Sequence, residues 1–178
     1  YGLWAVGGFL DRLLAKYAFT HADVVMAVDE SLVKNMRKYA GVERDVLVVP
    51  TGYDPSFWKM EGEKDKKLVL TVAVVDRENR IKIKGLDFFL KVAERLPDFK
   101  FRIIGVHQRF MPLFKSAPEN IEVYKPISPN DLLTHYRRAK VYCQLSISEG
   151  LPNTLCEAML CECVPVGTNV GGIPNVIG

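Results

Sequence analysis

The chain has 178 residues, 48% of them hydrophobic and 25% charged, a balance that excludes intrinsic disorder and allows one ordinary domain or two small ones. Its 24 Lys and Arg against 21 Asp and Glu leave a formal net charge of +3, too small to imply a nucleic-acid partner unless the charge is gathered in one place.

In chain order, amphipathic helix-like runs alternate with short strand-like runs. A helix is predicted over residues 9–19, a strand over 23–28, and a helix over 30–39 that Gly41 closes as a C-terminal cap. A strand over 46–49 stops at Pro50. The apolar start is interrupted by Asp11 and Arg12, well short of the ~20 residues that a membrane-spanning helix requires. Residues 51–67 hold Pro55, two glycines and a run of charges. A boundary is placed there, with residues 1–54 the end of one Rossmann-like unit, 55–67 a linker, and 68–178 most of a second unit. The chain is therefore expected to be a fragment of a longer protein.

In the second unit, strands are predicted at 68–75, 100–104, 121–124, 141–145 and 164–167. Helices are predicted at 85–96, 108–115, 130–138 and 154–161, and residues 173–178 look like the first turn of another. Residues 68–75 are apolar on both strand faces, so the fold class is α/β, a parallel sheet covered by helices on both sides. The four cysteines, Cys143, Cys156, Cys161 and Cys163, form no C-x-x-C pair and have no histidine beside them. They are expected to be reduced thiols packed as small hydrophobes in a cytoplasmic protein, with no metal bound.

Ligands of open parallel sheets bind beyond the carboxyl ends of the strands, so the loops leaving the strands carry the functional signal. Residues 76–84 hold four cationic and two acidic side chains, a local charge of +2, immediately before a predicted helix start at Gly85. That pattern suits a phosphate, and it equally suits a solvated charged loop. The loop Gly105-Val-His-Gln-Arg109 contributes one glycine and one histidine, which is weak evidence for a ligand. In Ser146-Ile-Ser-Glu149-Gly-Leu-Pro-Asn-Thr-Leu-Cys-Glu157, two carboxylates flank one helix start, and a carboxylate can hold two hydroxyls of a sugar or ribose. Thr154-x-x-Glu157 also reads as a capping box, which accounts for Glu157 without a ligand. No such local rule accounts for Glu149.

Glu149-Gly-Leu-Pro-Asn-Thr-Leu-Cys-Glu157-Ala-Met, followed by Pro165-Val-Gly-Thr-Asn-Val-Gly-Gly-Ile-Pro174, resembles the group 1 retaining glycosyltransferases of the GT-B fold. Lys84-Gly85 resembles the family's phosphate-binding Lys-Gly, and Val49-Pro-Thr-Gly-Tyr-Asp54 its passage between domains. The resemblance implies a nucleotide diphosphate sugar as donor, no metal or other cofactor, and an acceptor that is a sugar, glycan or lipid. It places Glu149 at the donor sugar, as nucleophile or as hydroxyl holder, with backbone from Gly150, Leu151 and Pro152 beside it. Asn153 and Thr154 would lie by the diphosphate, Glu157 at the ribose, and Lys84 with Arg80 or Arg77 against the departing diphosphate. Ala73-Val74 stands where the family usually has Gly-Arg, Ile83 where a further basic residue is often found, and Glu162 in place of a common glycine. The family's glycine-rich acceptor loop and histidine are missing from the sequence, so a non-catalytic nucleotide-sugar-binding or interaction module is the alternative. Tyr1, Trp4 and Phe9 with Arg12 and Lys16 offer a peripheral membrane contact at the cytoplasmic face, against the plainer reading of a packing helix.

Overall fold

The structure, a computed structural model, describes residues 8–41 and 43–178. Tyr1 and Trp4, part of the aromatic group considered for a membrane contact, lie outside them. No helix among the described residues is long and apolar enough to cross a membrane.

The first part of the chain is small. Helix α1 (Phe9–His21) leads to a two-residue strand β1 (Met26–Ala27), helix α2 (Glu30–Ala40) and strand β2 (Leu47–Val48), which pairs with β1 in parallel. Helix α2 has both ends specified by sequence. Asp29 caps it by accepting the Ser31 amide at 2.8 Å, and Gly41 closes it with φ +60. Val25, Met36 and Ala40 form its core, with Phe19, Ala22 and Val46 packed around them. Arg44 takes over unpaired carbonyls in the last turn of α1 and just after it, donating to Phe19 and Asp23 at 3.0 and 3.2 Å. The strand predicted over 23–28 is thus reduced to two residues, Met26 and Ala27.

The second part is a five-stranded, all-parallel sheet in the order β5-β4-β3-β6-β7. The strands are β3 (Asp65–Val75), β4 (Lys100–Val106), β5 (Ile121–Tyr124), β6 (Ala139–Gln144) and β7 (Val164–Gly167). Between them run α3 (Asn79–Ile83), α4 (Leu86–Arg95), a 3-10 turn (Gln108–Phe114), α5 (Pro129–Arg138) and α6 (Asn153–Leu160), with α7 (Ile173–Ile177) last. The two-residue period of β3 explains the layering. Leu68 and Leu70 face a core shared with α5, α6 and α7, through Leu133, Tyr136, Leu155, Ala158 and Ile173. Val69, Ala73 and Val75 face the other side, against Leu86, Phe89, Phe101 and Phe114. Both faces are covered, as expected of a parallel sheet.

Two boundaries differ from the sequence reading. β3 begins at Asp65, inside the segment read as linker: Asp65 pairs with Ala139, while Lys66 and Lys67 stay exposed, so the charged run is strand without being core. The basic stretch 76–84, read as loop, contains helix α3. The four cysteines are free thiols. Cys143, Cys161 and Cys163 are buried, and burial pushes the Cys143 thiol up to about 12.

Candidate functional site

Counted from β3, the sheet order reverses between β3 and β6, so the loops leaving these two neighbours diverge to opposite sides and leave a crevice at their carboxyl ends. The first carries residues 76–85 and the second residues 145–152. They are stitched together at the base by the Ile147 amide, which donates to the Ile83 carbonyl at 2.9 Å. Gly85, at φ +65, packs so tightly on the end of β6 that a Cβ there would stand 2.1 Å from the Leu145 carbonyl oxygen.

Across it, Lys84 Nζ donates to Glu149 Oε2 at 2.7 Å. The two side chains are 18% and 15% exposed, enough shielding to strengthen the pair over a surface ion pair while leaving it open to a ligand. The arginines sit differently. Arg77 and Arg80 gather on Asp76, their Nε atoms 3.7 and 3.4 Å from Asp76 Oδ1, and Arg109 Nη2 donates to the Asp76 carbonyl. Desolvation works against the Asp76 charge, but Arg77 and Arg80 outweigh it and hold the carboxyl below the usual range. Arg80 lies one helical turn before Lys84, whose amide donates to the Arg80 carbonyl at 2.8 Å, so the two share a face of α3. Arg77 is mostly exposed.

The second loop is held from below by a buried polar chain. Tyr142 donates to Thr154 Oγ1 at 2.8 Å, Gln144 Nε2 to Ser146 Oγ at 2.9 Å, and Thr168 Oγ1 to the Ser146 carbonyl at 2.6 Å. Tyr142 and Ser146 are fully buried and Gln144 nearly so. The Thr154 hydroxyl, expected by a diphosphate, is therefore turned into the protein and spoken for. The capping box is also absent: α6 is capped by Pro152, with no side-chain cap bond, and Glu157 stands in the second turn. Its Oε2 instead accepts the Tyr136 hydroxyl at 3.0 Å. Burial pushes the Glu157 carboxyl above its ordinary range, and the Tyr136 hydroxyl only partly offsets it.

From above, the first part of the chain reaches the same loop. Tyr53 donates to Asn153 Oδ1 at 3.0 Å and lies beside Cys156 and Glu157; burial and these neighbours raise its own hydroxyl well above the usual range. Gly150 accepts the Gly172 amide at 2.8 Å, which puts the Val-Gly-Gly-Ile-Pro segment directly against the Glu149 loop. Gly150, Leu151 and Pro152 thus bring backbone to the crevice next to Glu149, with Pro152 buried.

Sequence reasoning missed Asp29, Tyr53, Tyr136 and the Tyr142–Gln144–Ser146 chain. Two of these carried a readable signal: Asp29, a capping residue just before a helix, and Gln144, a polar residue ending the buried run 142–144.

A family model described as glycosyl transferases group 1 matches residues 54–178. Among curated proteins, the chain is 23% identical to a phosphatidylinositol N-acetylglucosaminyltransferase gpi3 subunit of Schizosaccharomyces pombe, over 99% of this chain and 41% of that protein. It is 24% identical to a phosphatidylinositol N-acetylglucosaminyltransferase GPI3 subunit of Saccharomyces cerevisiae, over 95% of this chain and 40% of the relative. Among solved structures, a sucrose-phosphate synthase from Thermosynechococcus elongatus superposes with a TM-score of 0.82 at 18% identity, over 97% of this chain and 47% of that one. The chain thus spans less than half the length of these relatives.

Proposed function

Because the chain belongs to the group 1 glycosyltransferases, we propose that the crevice between the 76–85 and 145–152 loops holds a nucleotide diphosphate sugar and serves hexosyl transfer with retention of configuration. The observation that carries the reading is the Lys84–Glu149 contact at the reversal of strand order, one cation and one carboxylate converging from two loops far apart in sequence. Lys84 is the group for the diphosphate. As the bond between the anomeric carbon and the diphosphate breaks, charge gathers on the phosphate oxygens, and a cation already in place stabilises it without a metal. Arg80, on the same helical face, is better placed to assist than the exposed Arg77.

Glu149 is assigned to the sugar. Paired with Lys84, it remains an acceptor suited to two hydroxyl donors. Glu157 is assigned to the ribose through the oxygen that Tyr136 does not occupy, and the backbone of 150–153 to the sugar and phosphate. The names of the curated relatives make an N-acetylglucosamine nucleotide the first donor to test and phosphatidylinositol the first acceptor.

Calorimetric titration of UDP, GDP and ADP sugars into the chain tests the reading. One nucleotide series is expected to bind, Lys84→Ala to weaken it about tenfold or more, and Glu149→Gln to separate the two parts of the ligand. Freed of its partner, Lys84 should bind the bare nucleoside diphosphate about fivefold more tightly, while the nucleotide sugar binds less well. Unchanged affinity in both variants would refute the assignment. Binding without transfer or hydrolysis, even with an acceptor present, would favour the non-catalytic module.

A further inference from the structure

We propose that Asp29 is a positioning residue for the Glu149 loop, acting through Asn175; the inference deepens the donor-site reading above and rests on it. Asp29 belongs to the first part of the chain, 120 positions from Glu149, yet it is only 5% exposed because residues 171–175 close over it. Its two oxygens have different duties. Oδ1 accepts the Ser31 amide at 2.8 Å and caps α2, and Oδ2 accepts Nδ2 of Asn175 at 2.7 Å.

Asn175 stands at the start of α7, whose preceding residue Gly172 donates its amide to the Gly150 carbonyl at 2.8 Å. Gly171 lies so close behind Glu149 that a Cβ on it would come within 2.0 Å of the Glu149 carbonyl oxygen, and one on Gly172 within 2.7 Å of that of Gly150. On the other side, Leu32 of α2 would touch a Cβ on Gly150 at 3.6 Å. The backbone that carries Glu149 is therefore held between the 171–172 turn and Leu32. The Asp29–Asn175 hydrogen bond is the charged clasp that joins those two supports. Burial works against the Asp29 charge, but the Ser31 and Asn175 hydrogen bonds hold the carboxyl below its ordinary range, so the clasp is a charge-assisted one at neutral pH. A carboxylate that must meet sugar hydroxyls within a few tenths of an ångström depends on such support.

The test is an exchange of partners in the 178-residue chain. Asn175→Asp sets a second carboxylate, on an exposed residue, against the buried Asp29, whereas Asp29→Asn combined with Asn175→Asp restores one donor and one acceptor and keeps an effective helix cap. Asn175→Ala, which adds no charge, guards against outright unfolding. Two readouts are taken: amide hydrogen exchange across residues 147–152 without ligand, and affinity for the nucleotide sugar.

Asn175→Asp is expected to raise exchange in that segment and weaken the nucleotide sugar about tenfold, Asn175→Ala about threefold, with the double variant returning near to the parent. Exchange at 147–152 that does not respond to Asn175→Asp or Asn175→Ala overturns the inference, whether or not any nucleotide binds. So does damage that the double variant fails to repair. A parent chain that binds no nucleotide sugar defeats the donor-site reading instead, and the exchange data still decide whether Asp29 supports the loop.

Discussion

At Glu157 the role proposed above, holding the ribose, is set against the stability of the fold. Burial raises its pKa above the unfolded value, so protonation favours the folded state. The stability this contributes is fully present below the unfolded pKa and is lost as the pH rises through the folded one. At pH 7 the charged group therefore costs stability, while its free oxygen is the one assigned to ribose. Glu157→Gln is expected to be at least as stable as the parent in denaturant at pH 7, with the difference closing in acid, and to bind the nucleotide sugar about tenfold less well. In the parent, affinity should fall on acidification through the raised pKa. Tyr136→Phe, which removes the one hydrogen bond that lowers it, should shift that fall to higher pH. A pH series of titrations on the three proteins checks the order. Glu162 is a simpler case: it has φ +59, a left-handed backbone in which glycine is favoured, so the glycine common at that place in the family answers a backbone demand after α6 and no chemical one.

At the scale of elements, the site is built by two helices that start abruptly. Helix α4 begins after Gly85, whose left-handed backbone lets α3 and α4 meet at Lys84 while touching the Leu145 carbonyl. Gly85→Ala costs about 1–2 kcal/mol for the backbone alone, and the overlap with the end of β6 must be relieved by moving the strand end or the helix. A total loss of at least ~3 kcal/mol is expected, a large share of a domain's stability, measurable as a lowered denaturation midpoint. Helix α6 begins after Pro152 without a side-chain cap. Its place is set by Tyr142 and Gln144, which reach Thr154 from β6. The capping-box pattern at Thr154 and Glu157 was legible but idle, because a buried tyrosine on either side, Tyr142 and Tyr136, offers each residue a partner that local sequence cannot display.

At the scale of the molecule, stability is unevenly spread. The five-stranded sheet buries Leu70, Val75, Ile103 and Val106 completely, with helices on both faces. In residues 8–49, by contrast, Phe9, Leu10, Leu13, Leu14 and Tyr17 of α1 and Val24, Met26, Leu47 and Val49 around the two-stranded pair are exposed. Hydrogen exchange should accordingly find the slowest amides in β3, β4 and β6, with those of β1 and β2 exchanging earlier by sub-global opening. Equal protection in the two sheets would contradict this picture. The contacts of Asp29 and Leu32 with the 149–175 region, and that of Tyr53 just after residues 8–49, are then what couples the less stable part of the chain to the candidate site.

The alternation of apolar strands with amphipathic helices sufficed for a parallel α/β sheet and the succession of its strands, because side-chain period and burial are local properties of the chain. The same holds for the family, whose two acids and Val-Gly-Gly-Ile-Pro run lie within one stretch of sequence, 149–174. Which groups meet was settled in three dimensions alone. Lys84 and Glu149 are 65 positions apart, Asp29 and Asn175 146, and Tyr53 and Asn153 100. Strand order brings Lys84 and Glu149 together, and packing of the first part of the chain on the second brings the other two pairs together; both are settled between distant segments, which no local period records.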